Sequence, residues 1–250
     1  MPYGPEDDAR DQIDDMLRAA GWAVQDPDAY DPGVAEKGIA LREYPFDSGA
    51  ADYLLVVDRR AVGVVEAKAE GTTLGGVAEQ SQKYATSDPK HIPPAERPLP
   101  FVYESTGVET NFRDLRDPSP RAREVFHVHQ PETLADWIGQ SETLRTRLQR
   151  MPPLQPGTLR DCQYEAIEQL ETSFAGNHPR SLIQMATGSG KTFMAVTECY
   201  RLLKYAKAHR ILFLVDRTNL GTQTKKEFQQ YTIPDSGRPF TQEYNVQHLQ

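Results

Sequence analysis

Cysteine is scarce in this sequence of 250 residues, which contains only Cys162 and Cys199. The two are far apart in the chain and lack the short spacing that metal-binding cysteines share. The sequence therefore gives no basis for a disulfide framework or a zinc site, and we expect both cysteines to be packed thiols.

Long apolar runs are also absent, and no stretch approaches the roughly 20 residues that a transmembrane helix needs. The N-terminal segment, MPYGPEDDARDQIDD, is acidic and has no signal-peptide character. An excess of positive charge is missing as well, because the formal net charge is −8. These absences predict a cytoplasmic protein without membrane contact, whose contact with DNA is local or shared with a basic partner.

What the sequence does contain is a predicted β-hairpin at 52–68, which reads DYLLVVDRRAVGVVEAK. Two short runs of strand-forming residues, 53–57 and 61–65, flank a polar break at 58–60. Further strands are predicted at 38–44, 101–103 and 125–129.

Three charged side chains converge at the open end of this hairpin. Alternation along a strand points Glu66 and Lys68 to the same side, and a reversal centred on Arg59 places Asp52 opposite Glu66. Two neighbouring carboxylates form a hard oxygen site of the kind that suits Mg²⁺. Lys68 beside them could orient or help deprotonate an attacking water. A cluster of salt bridges would satisfy the same charges without any chemistry.

The pattern of Asp52 followed by Glu66-Ala67-Lys68 resembles the PD-(D/E)xK nucleases, with Ala51 where that motif has proline. The resemblance implies that Asp52 and Glu66 bind a catalytic metal and that Lys68 acts beside them. It predicts hydrolysis of a phosphodiester bond.

Gln80 and Tyr84 have the i, i+4 spacing that places two side chains on one helix face, where they can point back at the hairpin. They resemble the QxxxY element of RecB-like nucleases and of Type I restriction subunits, which implies a place in the catalytic set. The alternative for Tyr84 is a core position with its hydroxyl at the surface.

Other candidate ligands are weaker. Glu6, at the start of a predicted first helix, could reach the metal site as an N-terminal helix acid does in some relatives, although a solvated face is favoured. His127 and His129 share a strand face, but no third ligand is near them in sequence, so ordinary strand histidines are favoured.

A proline-rich segment at 151–158, MPPLQPGT, has the composition of a linker, because proline denies backbone donors to helices and sheets. We therefore predict one domain at 1–150 and a second domain at 159–250.

The second domain contains a predicted phosphate-binding loop. A strand at 181–185 leads into a glycine-rich turn at 186–190 and then into a helix that begins at Lys191. Gly188 and Gly190 allow the torsions that turn backbone N–H groups towards a phosphate at a helix N-terminus.

The loop sequence MATGSGKT resembles motif I of superfamily 2 helicases and of restriction translocases, with Met185 in place of the first glycine of the common pattern. The residues that this resemblance assigns to ATP are Thr187, Gly188, Ser189, Gly190, Lys191 and Thr192, the last through a bound Mg²⁺. Upstream, Gln163 resembles the Q motif, whose amide reads adenine.

A second apolar run, 211–216, predicts a buried parallel strand. Its terminal Asp216 could be a Walker B aspartate, but no acidic pair follows it. The sequence LVDRTNLGTQ resembles motif Ia of the Type I restriction translocases, where the following loop contacts the DNA backbone, and we favour that interpretation.

With ESTGVETNF at 104–112 and PRAREVFHVHQPETL at 120–134, these motifs make nearly the whole chain resemble the N-terminal part of the restriction (R, motor) subunit of Type I restriction-modification enzymes. The implied fold is α/β, with an αβββαβ PD-(D/E)xK nuclease core followed by the first part of a parallel RecA-like motor domain. We expect a fragment of a longer protein, because no convincing DExx motif appears before Gln250.

The resemblance implies an ATP-dependent endonuclease subunit with Mg²⁺ and ATP as cofactors. The implied partners are double-stranded DNA and the methyltransferase (modification) and specificity subunits of the same system. The alternative is an ATP-dependent DNA translocase or remodelling protein whose N-terminal domain binds DNA without cutting it. Metal-dependent cutting distinguishes the two.

Overall fold

The computed structural model describes residues 5–34, 37–74, 78–216 and 218–248; the side chains of 5–7, 78–80, 218 and 219 lie outside this description. The chain divides into two compact units, Met1–Thr143 and Leu144–Gln250. No helix in the described part of the chain combines the length and apolar composition that a membrane crossing requires.

The described residues of the first unit form a mixed sheet whose strands lie side by side in chain order. The strands are β1 (Trp22–Gln25), β2 (Gly38–Phe46), β3 (Gly49–Val57), β4 (Arg60–Ala67), β5 (Phe101–Ser105), β6 (Thr110–Asp114) and β7 (Arg123–Val125). The helices are α1 (Pro5–Ala19), α2 (Ala78–Thr86) and α3 (Pro131–Ile138), with a 3₁₀ turn at Pro27–Ala29. β1 pairs with β2 and β4 with β5 in parallel, and the other neighbouring pairs are antiparallel.

The series α1, β2, β3, β4, α2 and β5 is the αβββαβ order that the sequence predicts, with β1, β6 and β7 extending the sheet. The predicted α/β fold class is confirmed. Helix α2 is the connection that makes β4 and β5 parallel, because a parallel pair needs a crossover.

Both faces of the sheet are covered by apolar packing. On β3, Tyr53 and Leu55 join a core with α1 and α3, whereas Leu54 and Val56 join a second core with α2. Burial on both faces explains why β3 and β4 read as nearly continuous apolar runs rather than as alternating patterns.

The strand predicted at 125–129 is wrong in its extent, because β7 covers Arg123–Val125 only. Beyond Val125 the chain turns off the sheet, and Val128 is buried in the core on the α1 side. The indole N–H of Trp22 holds this segment by donating to the His129 carbonyl at 2.9 Å.

The second unit is helical in its described residues, with α4 (Leu144–Leu148), α5 (Asp161–Ala175), α6 (Lys191–Lys204), α7 (Thr218–Gln230) and α8 (Phe240–Glu243). The strands predicted at 181–185 and 211–216 are not formed there. A strand needs a hydrogen-bonded neighbour, and the described part of this unit contains no strand ladder. Two apolar side chains of these segments, Leu182 and Leu214, are consequently 94% and 80% exposed.

The division between the units falls before α4, earlier than the linker predicted at 151–158. That segment is irregular, as its prolines require, but it is packed on the second unit. Arg201 donates to the Pro152 carbonyl at 2.6 Å, and Leu154 is buried beside Ile167 and Met194. The domain limits 1–150 and 159–250 stay a prediction.

A buried glutamate on α6 costs the second unit stability. Glu198 is 5% exposed, and both of its carboxylate oxygens lack a hydrogen-bond partner. Burial, with a smaller contribution from the Glu171 carboxylate, raises its pKa to about 8, while Arg201 opposes the shift. Arg201 is itself paired with Glu171, with Nε 2.5 Å from Oε1.

We predict that Glu198 makes the second unit lose stability as pH rises from about 4.5, its ordinary pKa, to about 8, because the raised folded-state pKa favours the protonated form. Glu198→Gln should remove this dependence. The variant should gain on the order of 3 kcal/mol over the wild type between about pH 5 and pH 9. Urea unfolding followed by far-ultraviolet circular dichroism measures the difference.

Tryptophan fluorescence is the internal control, since Trp22 and Trp137 are both in the first unit. The transition that it reports should be the same in Glu198→Gln and in the wild type. Equal pH dependence of the two proteins in circular dichroism would contradict the prediction.

Candidate functional site

The hairpin of β3 and β4 turns on two residues. Asp58 and Arg59 have φ angles of 49° and 62°, and Val57 pairs with Arg60. Two consecutive residues with positive φ form a turn whose twist matches that of antiparallel strands. The reversal is therefore one residue tighter than the break predicted at 58–60.

A β-bulge next to the turn sets the register of the site. Val56 pairs with Ala61, but Leu55 pairs with Gly63, which leaves Val62 as an extra residue on β4. Beyond the bulge, Tyr53 pairs with Val65, so the same register brings Asp52 opposite Glu66. Without the extra residue Asp52 would face Val65, and the two carboxylates would lie on opposite faces of the sheet.

Gly63 lets the bulged strand approach β5. A Cβ at this position would lie 2.2 Å from the Phe101 carbonyl oxygen, closer than any such contact can be. Gly63 and Phe101 are partners in the parallel ladder of β4 and β5. The glycine therefore permits the close spacing of β4 and β5 beside the bulge.

Asp52 is held by hydrogen bonds to both of its oxygens. Oδ1 accepts from Nε and Nη2 of Arg10 at 2.9 and 2.6 Å, and Oδ2 accepts from the Ala67 backbone N–H at 2.8 Å. The second bond ties Asp52 to the strand that carries Glu66. The sequence analysis missed Arg10, which lies far from the motif in the chain.

Glu66 is buried, with 3% of its surface exposed. Its Oε1 accepts from the Lys68 ammonium at 2.9 Å, and Oε2 is buried without a hydrogen-bond partner among the described residues. Burial raises the pKa of Glu66 to about 6; the hydrogen bond from Lys68 opposes the shift, and the Asp52 carboxylate adds to it. Asp52, Glu66 and Lys68 therefore share one electrostatic environment, as the motif predicts.

A second buried glutamate, Glu104 on β5, is the ladder partner of Glu66. It is neutralised by Arg113, whose Nη2 donates at 2.7 Å, and it also accepts from the Ser81 hydroxyl of α2. Sequence reasoning missed this cluster. The sequence feature that could have revealed it is a charged residue in each of two buried strands, Glu104 in β5 and Arg113 in β6. A charge in such a place is stable only if it is paired.

Of the two residues in the QxxxY element, the structure describes the side chain of Tyr84 only. Tyr84 is buried, its ring packs against Phe46 with centroids 5.8 Å apart, and its hydroxyl lies 3.4 Å from where a Cβ of Gly49 would be. These contacts put it under the β2–β3 turn, and its catalytic role stays a prediction. The side chain of Gln80 lies outside the described residues, as does that of Glu6.

The two candidate histidines are not a metal pair. His127 is exposed. His129 is instead hydrogen-bonded to Tyr103, with Nδ1 2.6 Å from the hydroxyl oxygen, and its ring packs among aromatic rings. Burial lowers the pKa of His129 to about 4, and Arg123 adds to this effect. Among the described residues, no group of three His, Cys, Asp or Glu side chains is placed to hold a metal ion.

The phosphate loop of the second unit leads into a helix where the sequence predicts it. Gly190 is the N-cap of α6 with φ 82°, and Gly188 has φ 79°. The Lys191 ammonium donates to the carbonyls of Met185 and Ala186 at 3.2 and 2.9 Å. The loop is thus closed on its own backbone, and Thr187, Ser189 and Thr192 lie at or near the surface.

Gln163 holds this loop. Its Nε2 donates to the carbonyls of Ser189 and Gly190 at 3.0 Å, and its Oε1 accepts from the Arg160 N–H at 2.9 Å. Both ends of the amide are therefore engaged with the protein. The predicted contact with adenine would require these bonds to open, and it stays a prediction.

Two family descriptions match parts of the chain. "Type III restriction enzyme, res subunit" covers residues 157–248, and "Type I restriction enzyme EcoKI endonuclease subunit second domain" covers residues 30–97. The EcoKI endonuclease subunit of Escherichia coli (strain K12) is 27% identical over 297 aligned residues, which cover 98% of this chain and 25% of the relative. The chain is a homologue of Type I restriction endonuclease subunits.

A second relative of this Type I homologue is the EcoAI endonuclease subunit of Escherichia coli, 29% identical over 75% of this chain and 24% of its own. The chain thus spans about a quarter of the length of the curated relatives it matches. A solved HsdR fragment from Vibrio vulnificus YJ016 is 23% identical over 83% of this chain and 39% of that one, with a TM-score of 0.38. The assignment does not depend on that likeness.

The matches overlap both candidate sites of this Type I homologue. The EcoKI second-domain match contains Asp52, Glu66 and Lys68, and the res-subunit match contains Gln163 and the phosphate loop. Asp216 is also inside the res-subunit match. Its assignment to motif Ia rather than to a Walker B motif stays a prediction.

We predict that Gly63→Ala destabilises the first unit by about 3 kcal/mol, because its methyl group would overlap the Phe101 carbonyl. Gly139→Ala is the matched control, since a Cβ there would meet nothing closer than 3.5 Å. Urea unfolding followed by tryptophan fluorescence measures both. If the urea concentration at the midpoint of unfolding were equal for Gly63→Ala and Gly139→Ala, the strand at Gly63 would have to accommodate a side chain.

Proposed function

We propose that the first unit hydrolyses phosphodiester bonds of duplex DNA with Mg²⁺, and that in the full-length protein this cleavage is coupled to ATP-driven DNA translocation by a motor that begins in the second unit. The observation that carries the proposal is the buried, unpartnered Oε2 of Glu66 beside Asp52 and Lys68. What distinguishes this oxygen from those of the buried Glu198 is the second carboxylate and the lysine beside it, which are the groups that a metal-dependent nuclease needs.

The residues present fit a magnesium ion. Carboxylate oxygens are the ligands that Mg²⁺ prefers, and the ion commonly uses one or two of them together with water and substrate phosphate. Asp52 and Glu66 supply two such ligands at the open end of the hairpin. When bound, Mg²⁺ would polarise the phosphate and acidify a water molecule.

The chain's own residues supply the rest. Lys68 holds Glu66 through its ammonium and carries a positive charge to the place where the phosphate gains negative charge. Asp52 is fixed against β4 by the Ala67 N–H, which keeps the two carboxylates together. For Gln80 and Tyr84 we propose supporting roles, on the QxxxY spacing alone.

The second unit is the proposed nucleotide site. Lys191 and the N–H groups after Gly188 and Gly190 would hold the phosphates of ATP, and Thr192 would bind its Mg²⁺. The net charge of −8 makes partners plausible participants in DNA contact. We propose that these partners are the modification and specificity subunits, and that the complex acts in the cytoplasm.

We predict that Asp52→Asn, Glu66→Gln and Lys68→Met each reduce Mg²⁺-dependent DNA cleavage by the full-length protein at least about a hundredfold, because each removes a contact to the metal or to the developing charge. The variants should keep ATP hydrolysis. Glu70→Gln is the control, since Glu70 is an exposed carboxylate close to the motif and should cut like the wild type.

Cleavage by any of the three variants at the rate of Glu70→Gln would contradict the proposed site. A wild type that translocates DNA but cuts none of it at any Mg²⁺ concentration would establish the translocase alternative instead.

The nucleotide site has its own prediction. Lys191→Ala should weaken binding of a fluorescent ATP analogue to the 250-residue chain at least about tenfold, because the ammonium that would reach the phosphates is gone. In the full-length protein it should stop translocation and the cleavage that depends on it, while metal binding by the first unit is unchanged. Lys207→Ala, at an exposed lysine beyond α6, is the control. Unchanged analogue binding by Lys191→Ala would count against the phosphate loop.

A further inference from the structure

Asp52, a proposed metal ligand, already has a cation. Nε and Nη2 of Arg10 both donate to the single oxygen Oδ1, at 2.9 and 2.6 Å. The other oxygen, Oδ2, accepts from the Ala67 backbone N–H. The Ala67 N–H belongs to the backbone of β4 and cannot move away from Oδ2, whereas the guanidinium on Oδ1 is carried by a long side chain. Oδ1 is therefore the oxygen of Asp52 whose partner can leave in favour of another cation.

Arg10 acts on the same electrostatic environment as the proposed metal. Arg10 contacts Asp52 directly, and the hairpin register brings Asp52 opposite Glu66. Arg10 thus lies close enough to influence both carboxylates. A divalent cation placed between them would be repelled by the guanidinium as long as it remains on Oδ1.

The side chain of Arg10 has a second acceptor available. Its Nη1 is 3.3 Å from Oε1 of Glu43, and the two side chains are 35% and 69% exposed. The backbone does not need to move, because the Tyr53 hydroxyl lies 3.0 Å from both the Arg10 carbonyl and Oδ1 of Asp14, shares its proton between them and holds that part of α1 on β3. A change of rotamer could therefore carry the guanidinium from Asp52 to Glu43.

A neighbouring ion-pair cluster on α1 shows the contrasting arrangement. Asp14 accepts from Arg42, from Arg18 at 3.0 Å and from the Tyr53 hydroxyl at 3.0 Å. Its contacts join α1 to β2 and β3 and do not include Glu66 or Lys68. The Asp14 cluster is structural, and it provides a matched control on the same helix.

We propose that Arg10 is a positioning residue of the candidate metal site: it holds the Asp52 carboxylate in the metal-free protein and leaves Oδ1 when a divalent cation binds. The inference rests on the proposed nuclease function. Its consequence is that Arg10 and the metal compete, so that the arginine preorganises the ligand and at the same time weakens metal affinity.

The test is Mn²⁺ binding to the 250-residue chain, measured by the electron paramagnetic resonance signal of the free ion. Arg10→Gln should bind Mn²⁺ about tenfold more tightly than the wild type, because a charged competitor is lost. Arg10→Lys, which keeps the charge but not the fork, should lie between the two. Arg18→Gln removes the same charge from α1 beside Asp14 and should stay within about twofold of the wild type.

Thermal unfolding separates this role from a purely structural one. Without metal, Arg10→Gln should melt below the wild type, since Asp52 has lost its partner, and saturating Mn²⁺ should raise its Tm by more than it raises that of the wild type. A structural arginine would lower the Tm and leave Mn²⁺ affinity equal or weaker, and that result overturns the inference.

The failure of the proposed function looks different. If neither the wild type nor Arg10→Gln binds Mn²⁺, or if Asp52→Asn binds it as well as the wild type does, the metal site itself is wrong and the inference falls with it. If the wild type binds Mn²⁺ through Asp52 and Arg10→Gln binds no more tightly, only the role of Arg10 is wrong.

Discussion

The candidate nuclease site depends on the pairing register of one β-hairpin. The bulge at Val62 moves β4 by one residue against β3, and only in that register do Asp52 and Glu66 lie on the same face of the sheet. Next to the bulge, Gly63 lets β4 pair closely with β5, because a larger residue would overlap the carbonyl of Phe101. A constraint on backbone packing therefore decides which side chains can act together.

The same register concentrates negative charge in a buried place, and each charge has a different counterpart. Asp52 is compensated by Arg10 and Glu104 by Arg113, with hydrogen bonds to each carboxylate. Glu66 is compensated only in part, because Lys68 reaches one oxygen and the other is bare. The incompletely compensated member of the three, Glu66, is one of the two carboxylates that the motif assigns to the metal, and an uncompensated charge there can serve binding.

The sequence predicted the hairpin and the closeness of Glu66 and Lys68, since these follow from local alternation and short spacing, and the family resemblance implied the order of the αβββαβ core. It placed Asp52 opposite Glu66 by assuming a reversal centred on Arg59, whereas the structure reaches the same pairing through a tighter turn and a bulge. Arg10 could not be predicted, because its contact with Asp52 spans 42 positions and follows from how α1 packs. The strands at 181–185 and 211–216 failed for a related reason: apolar content marks a strand, but a ladder needs a partner.

The two candidate sites differ in what a ligand would have to displace. At the phosphate loop, Lys191 and Gln163 already bond to loop carbonyls, so that ATP must exchange existing hydrogen bonds for its own and gains only the difference. At the hairpin, Glu66 has a buried oxygen with no bond to lose, so that a metal ion removes a desolvation cost that the folded chain already bears. Among the described residues, the cations that a metal ion must compete with are Arg10 on Asp52 and Lys68 on the other oxygen of Glu66. The affinity of the hairpin for metal should therefore be set by these two cations, whereas the affinity of the loop for nucleotide should be set by the many weak bonds that close it.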